Sequence, residues 1–130
     1  MSDNAIAGTP DPPYIAVIFT SRRAAEDRGY AATAEEMERL ARLQPGFLGV
    51  ETARGADGVG ITVSYWASVA DARAWKRVAR HVEVQRRGRA EWYDAYRVRI
   101  ATVEREYGHE RAESAAREPM TEAAPIRPEH

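Results

Sequence analysis

The run YIAVIFT, Tyr14 to Thr20, is apolar at nearly every position. A strand covered on both faces has that pattern. Charged residues follow from Ser21 to Tyr30, with Gly29 among them, so a loop or short irregular helix is expected there. Thr33 to Leu43 reads as a helix whose inner stripe is Met37, Leu40 and Ala41. Thr33 and Glu36 have capping-box spacing, and Gln44-Pro45-Gly46 ends the helix because proline disfavours helical geometry in the residue before it. Phe47 to Ala53 and Val59 to Trp66 read as strands joined by a hairpin at Asp57-Gly58. Ser68 and Asp71 mark a second helix start, and that helix is expected from Val69 to about His81, with more helix to Arg87 and a stop at Gly88. Ala90 to Tyr107 reads as a long last strand.

The order strand, helix, strand, strand, helix, strand predicts an α+β fold, the ferredoxin-like split βαβ arrangement, with one antiparallel sheet and both helices on one face. Neighbouring residues on a strand point to opposite faces, so the apolar side chains of Tyr14 to Thr20 cannot all meet helices. A second copy of the same sheet is the simplest cover for the other face, and a homodimer is expected.

Composition adds boundaries. Residues 1 to 12 are polar and proline-ended, an expected loose arm; residues 109 to 130 carry few large apolar side chains, an expected disordered tail; residues 13 to 108 form the folded domain. A net charge of -1 gives no field favouring nucleic acid or membrane. The absence of cysteine removes thiolate chemistry, and no apolar run approaches the roughly 20 residues a membrane helix needs. The first residues do not resemble a signal peptide, so a cytoplasmic protein is expected.

The candidate chemistry is aromatic. Trp75, Val78, Ala79 and Val82 share one face of the second helix, while Arg73, Lys76, Arg77, Arg80 and Arg87 lie roughly opposite as a solvated stripe. His81 and Gln85 flank the apolar face, where a helix packed on a sheet borders any crevice. Histidine titrates near neutral pH and suits proton transfer, although a histidine bonding locally at the surface has the same pattern. Trp66 ends its strand beside this helix. Trp92 and Tyr96, four residues apart on the expected last strand, should face one side, with Tyr65 and Tyr93 on the other. The glycines 55, 58 and 60 lack the Lys-Ser/Thr of a phosphate loop and read as hairpin residues. No metal-ligand set is apparent.

The segments VIFTSRR, GYAATAEEMERLARLQPGFLGVE, GITVSYW and AWKRVARHVEVQRRGRAEWYDAYRVRIATVEREYG resemble, in order and spacing, the antibiotic biosynthesis monooxygenase-like family over about residues 14 to 108, in an uncharacterised bacterial branch. The resemblance implies a dimeric α/β barrel with a pocket between sheet and helices, bordered by Trp66, Trp75 and the His81–Gln85 face. It implies either a cofactor-independent oxygenase of aromatic phenols, with His81 as base and Trp66, Gln85, Trp92 and Tyr96 contacting a small aromatic or quinone-like substrate, or a haem degrader. The haem branch places its histidine ligand ten residues after a helix tryptophan; here that position is Gln85, and the first strand lacks that branch's asparagine. No cofactor is therefore expected. A non-catalytic dimeric binding module is the remaining alternative.

Overall fold

The computed structural model describes residues 6–27, 29–86 and 89–111. Its elements run β1 (Tyr14–Arg23), α1 (Tyr30–Arg42), β2 (Phe47–Arg54), β3 (Val59–Trp66), α2 (Val69–Gln85), α3 (Arg89–Trp92) and β4 (Tyr93–Val103). The strands form one antiparallel sheet in the order β2-β3-β1-β4. This is the ferredoxin-like order, with α1 and α2 on one face.

Register decides what each face carries. Ile15 pairs with Trp66, Val17 with Ser64 and Phe19 with Thr62 across β1 and β3; Val17 pairs with Ile100 and Phe19 with Val98 across β1 and β4. Ile15, Val17 and Trp66 pack with Ala41 of α1 and with Ala72 and Trp75 of α2, so this set faces the helices. Tyr14, Ala16, Ile18, Val63 and Tyr65 therefore face the other way.

Two of the expected local signals hold. Ser68 caps α2: its hydroxyl accepts from the Asp71 amide at 3.0 Å, with Ser68 itself in extended geometry. Gly58 takes a φ of 89°, and the Asp57 carboxylate accepts from the Val59 amide at 3.0 Å, which closes the β2–β3 hairpin. Ser68→Ala is expected to cost about 1 kcal/mol. That lowers the melting temperature by roughly 4–8 °C in a domain of this size; an unchanged melting curve would show that another group satisfies the amide.

Three expectations change. Helix α1 opens at Tyr30, three residues before Thr33, on a left-handed Gly29. The Asp27 carboxylate accepts there from the Gly29 and Ala31 amides, while Thr33 is buried inside the helix and Glu36 pairs with Arg86 beyond α2. The segment from Ala90 is not all strand: Arg89–Trp92 is a helical turn, β4 starts at Tyr93, and residues 104–111 carry no regular structure. Gly88, expected to stop the second helix, and the tail from 112 lie outside the described residues.

The third concerns the N-terminal arm, expected to be loose. Ala7 and Thr9 lie against the face opposite the helices. The Ala7 amide donates to Glu51 Oε2 at 3.0 Å, and Tyr65 Oη donates to Glu51 Oε1 at 2.7 Å. Thr9 Oγ1 sits 2.8 Å from both Tyr14 Oη and Glu106 Oε1, and Tyr14 itself donates to Glu106. A Cβ on Gly49 would meet the Ala7 methyl at 2.9 Å, so glycine makes room for the arm. What remains uncovered on this face is Ile18, Val59, Ile61 and Val63, flanked on β4 by Arg97 and Arg99.

Candidate functional site

The two ends of the helix-facing sheet surface differ in character. At the β1 start, Trp66 is 0% exposed and stacks on Trp75 with centroids 5.8 Å apart, its edge against Phe47. Its indole N–H donates to buried Ser64 at 2.9 Å. The space between α2 and the sheet is filled here by the two indoles, and the one polar atom of Trp66 is already satisfied.

The opposite end is polar and aromatic. Ser21 pairs with Gly60 and with Tyr96, six residues along β1 from Ile15 and so roughly 20 Å from Trp66. A bulge between Arg22 and Arg23 shifts the β4 register by one residue. It reverses the expected orientation of Tyr93, which turns to the helix side and packs on Phe19, Tyr30 and Tyr96 at centroid distances of 5.3, 5.8 and 6.1 Å. Phe19 stacks on Tyr96, and Tyr30 meets buried Trp92 edge-on. Trp92 is fixed through its carbonyl, which accepts from the Ala24 amide at 2.8 Å and from Arg23 Nε at 3.3 Å.

Two guanidinium groups close this end. Arg23 lies over the Tyr30 ring, 3.7 Å from its centroid, and Arg54 lies 5.9 Å from the same ring. Arg54 donates to the Gly58 carbonyl, to Ser21 Oγ at 2.9 Å and to Tyr30 Oη at 3.4 Å. It lies flat across Gly60, where a Cβ would come within 2.6 Å of its central carbon. Glu83 of α2 is only 8% exposed and lies near enough to Tyr93 for its charge to disfavour the phenolate. Burial is the larger cause, followed by the neighbouring Tyr30 hydroxyl, and together they push the Tyr93 phenol well above the usual tyrosine range. Tyr93 is therefore a hydrogen-bond donor at neutral pH and not a base.

Tyr14 and Tyr65 are also raised, by burial first and then by their carboxylate partners Glu106 and Glu51. A raised folded-state value means a contribution to stability that is complete below the unfolded pKa of about 10 and lost as pH climbs through the folded values. Spectrophotometric titration should accordingly show three of the six tyrosines ionising late, with unfolding setting in above about pH 10. Six tyrosines titrating together near the ordinary value would contradict these environments.

Between the two ends, α2 packs over β1 and β3 and α1 over β2. The helix-facing side of the edge strand β4 stays partly open, leaving Tyr96 40% and Ile100 42% exposed on either side of Val98. This leaves a partly exposed apolar strip along β4, taken below as a groove, whose polar end is Ser21, Tyr30, Arg54 and Tyr93.

The expected site residues divide accordingly. Tyr96 lies on the groove, while Trp92, only 3% exposed, meets Tyr30 at its head from a helical turn and not from an equivalent strand position. Trp66 lies in the core at the far end. His81 and Gln85 are exposed on α2. His81 is two residues, about 200° of helical turn, from the inward-facing Glu83. Arg23, Ser21, Tyr30, Arg54, Glu83 and Tyr93 carried no sequence signal beyond hairpin, loop, strand and helix. Among the described residues no group of three or more His, Asp or Glu side chains is placed to hold a metal ion, and no helix is long and apolar enough to cross a membrane.

No protein-family model matches the chain. The uncharacterised protein YqjZ of Bacillus subtilis is 50% identical over 101 residues, covering 78% of this chain and 89% of YqjZ. Among solved structures, SnoaB, a cofactor-independent oxygenase from Streptomyces nogalater, superposes with a TM-score of 0.61 at 10% identity, over 75% of this chain and 100% of SnoaB. A Bordetella bronchiseptica protein provisionally assigned as an antibiotic biosynthesis monooxygenase gives 0.54 at 17% identity, over 69% and 96%. The shared fold is thus that of the antibiotic biosynthesis monooxygenase-like proteins, and by its likeness to YqjZ the chain belongs to that protein's family, an uncharacterised bacterial branch with this fold.

Proposed function

We propose that the chain is a small monooxygenase-like enzyme of the cofactor-independent kind, acting on a planar aromatic, hydroquinone- or anthrone-like compound. The groove carries this reading: an apolar, ring-lined floor open along β4, ended by phenol and guanidinium groups that can hold an oxygen substituent. The likeness to SnoaB supports the general kind of chemistry.

The ring of the substrate lies on Tyr96 and Phe19, and its phenolic oxygen meets Arg54 and the Tyr93 hydroxyl. A guanidinium at that oxygen favours the phenolate and spreads its electrons into the ring. Loss of a proton from the ring methylene leaves a carbanion that transfers electrons to dioxygen. One oxygen atom becomes the new carbonyl and the other leaves as water with the two methylene hydrogens, so substrate and dioxygen balance without an added reductant. Glu83, buried near Tyr93, accepts the proton. A role for His81 requires the substrate to bind on the outer flank of α2. We also propose that the protein works as a homodimer, with the uncovered Ile18, Val59, Ile61 and Val63 of two copies packed together.

Oxygen uptake with a hydroxyanthrone as substrate tests this. The metal-free protein should consume one dioxygen per quinone formed. Arg54→Gln should lower kcat/KM by about 100-fold, with His81→Ala close to the parent. Loss of turnover in His81→Ala but not in Arg54→Gln would move the site to the flank of α2; binding with no oxygen uptake would make the protein a non-catalytic binding module.

A further inference from the structure

We propose that the polar head of the groove is an acid-binding subsite, so that the ligand carries a carboxylate in addition to its reacting ring. The inference rests on the groove reading above and narrows its substrate class.

Three observations meet at this place. Arg23 and Arg54 both approach Tyr30, yet among the described residues neither has a carboxylate within ion-pairing distance; their contacts are carbonyl and hydroxyl oxygens. Each of the recorded ion pairs, Arg22–Asp94, Arg42–Glu38 and Arg86–Glu36, lies elsewhere. Two guanidinium groups without an ion-paired carboxylate among the described residues thus stand at the head of the groove, against the buried Glu83 carboxylate near Tyr93. Second, Ser21 is only 3% exposed, and its hydroxyl accepts from Arg54 but donates to no acceptor among the described residues. A buried hydroxyl proton without an acceptor is uncommon, and a ligand oxygen beside Arg54 would supply one. Third, Arg54 is held ready: Gly60 lets it lie flat on the sheet, and Ser21 and Tyr30 hold its outer nitrogen.

The chemistry selects a carboxylate. A planar guanidinium matches the two oxygens of a carboxylate with parallel hydrogen bonds. Ser21 stands two residues beyond Phe19 on the same face of β1, roughly 7 Å along the strand. A ring on Phe19 and Tyr96 thereby places a directly attached acid group at Ser21 and Arg54. The pairing of a stacking floor with a charged end also sets the orientation: the acid group anchors at the head, and the rest of the ring system extends over Val98 and Ile100 along β4.

Calorimetric titration of the full chain with a hydroxynaphthoate, with naphthol and with naphthyl phosphate separates the possibilities. The hydroxynaphthoate should bind about tenfold more tightly than naphthol, with an advantage that shrinks as salt is raised. Arg54→Gln should erase that advantage and also weaken naphthol, whose hydroxyl it meets, whereas Arg23→Gln, outside the phenol contact, should shrink the advantage while leaving naphthol binding as it was, with circular dichroism melts confirming that both fold. Equal affinity for hydroxynaphthoate and naphthol, or an advantage that survives in both variants, overturns the subsite while the groove stands. Naphthyl phosphate binding as tightly as the carboxylate overturns the assignment to an acid of carboxylate geometry. Failure of all three to bind removes the groove reading and this inference with it.

Discussion

Trp66→Ala should destabilise the chain by about 3–5 kcal/mol, the range for removing a buried aromatic ring and leaving its cavity. Trp66 has no exposed surface, stacks on Trp75, meets Phe47 edge-on and spends its indole proton on Ser64. Ring removal strips partners from both helices at once, because Trp75 belongs to α2 and Ala41 of α1 joins the same cluster. Domains of this kind have only about 5–15 kcal/mol in hand, so urea unfolding should show a midpoint shift large enough to leave part of the population unfolded without denaturant. Trp66→Phe retains a ring in the cluster and should cost less. A folded, stable Trp66→Ala with altered ligand binding would instead make Trp66 a pocket wall.

Val63→Asp should convert a dimer into a monomer. Val63 pairs with Ile18 at the centre of the uncovered face, on the two inner strands. In a two-fold dimer the same patch meets itself, so one substitution places two carboxylates in the interface. An unpaired charge buried this way costs about 3–5 kcal/mol, which weakens association roughly a thousandfold. Sedimentation velocity reads this directly. The parent should sediment as two chains and the variant as one, with the α2 core intact by circular dichroism; a parent that sediments as one chain at high concentration would remove the dimer. Because the arm already covers Tyr14, Tyr65 and Gly49, the surface left for the proposed second copy lies toward Val59 and Ile61, with Arg97 and Arg99 at its border.

Strand and helix identities were legible because they rest on local periodicity. The apolar run YIAVIFT, the Ser68 cap and the Asp57-Gly58 hairpin each carry their signal within a few residues. The groove was not legible, because each of its parts depends on a distant one. Tyr93 faces the helices only because of a bulge opposite Arg22 and Arg23, about seventy residues away in the chain, and alternation by itself points it outward. Arg54 looks like a hairpin residue until the fold carries Ser21 and Tyr30 to it. The arm looks unanchored until Glu51 and Glu106 arrive to accept from Ala7, Tyr14 and Thr9. In sequence, Trp66 is an aromatic at a strand end with nothing local to show its burial. Its complete burial follows from the stacking of Trp75, and that pairing is visible only once α2 is laid over β3.

Three tryptophans divide the candidate surfaces cleanly: Trp92 at the groove, Trp66 and Trp75 in the opposite core. Their indole N–H resonances in a proton–nitrogen correlation spectrum, followed during titration with an aromatic ligand, test the location of the site most directly. The groove predicts that the Trp92 indole moves, together with the backbone amides of Phe19, Ser21 and Tyr96, while the Trp66 and Trp75 indoles hold still. Movement of Trp66 and Trp75 with a stationary Trp92 would contradict it and return the site to the space beneath α2.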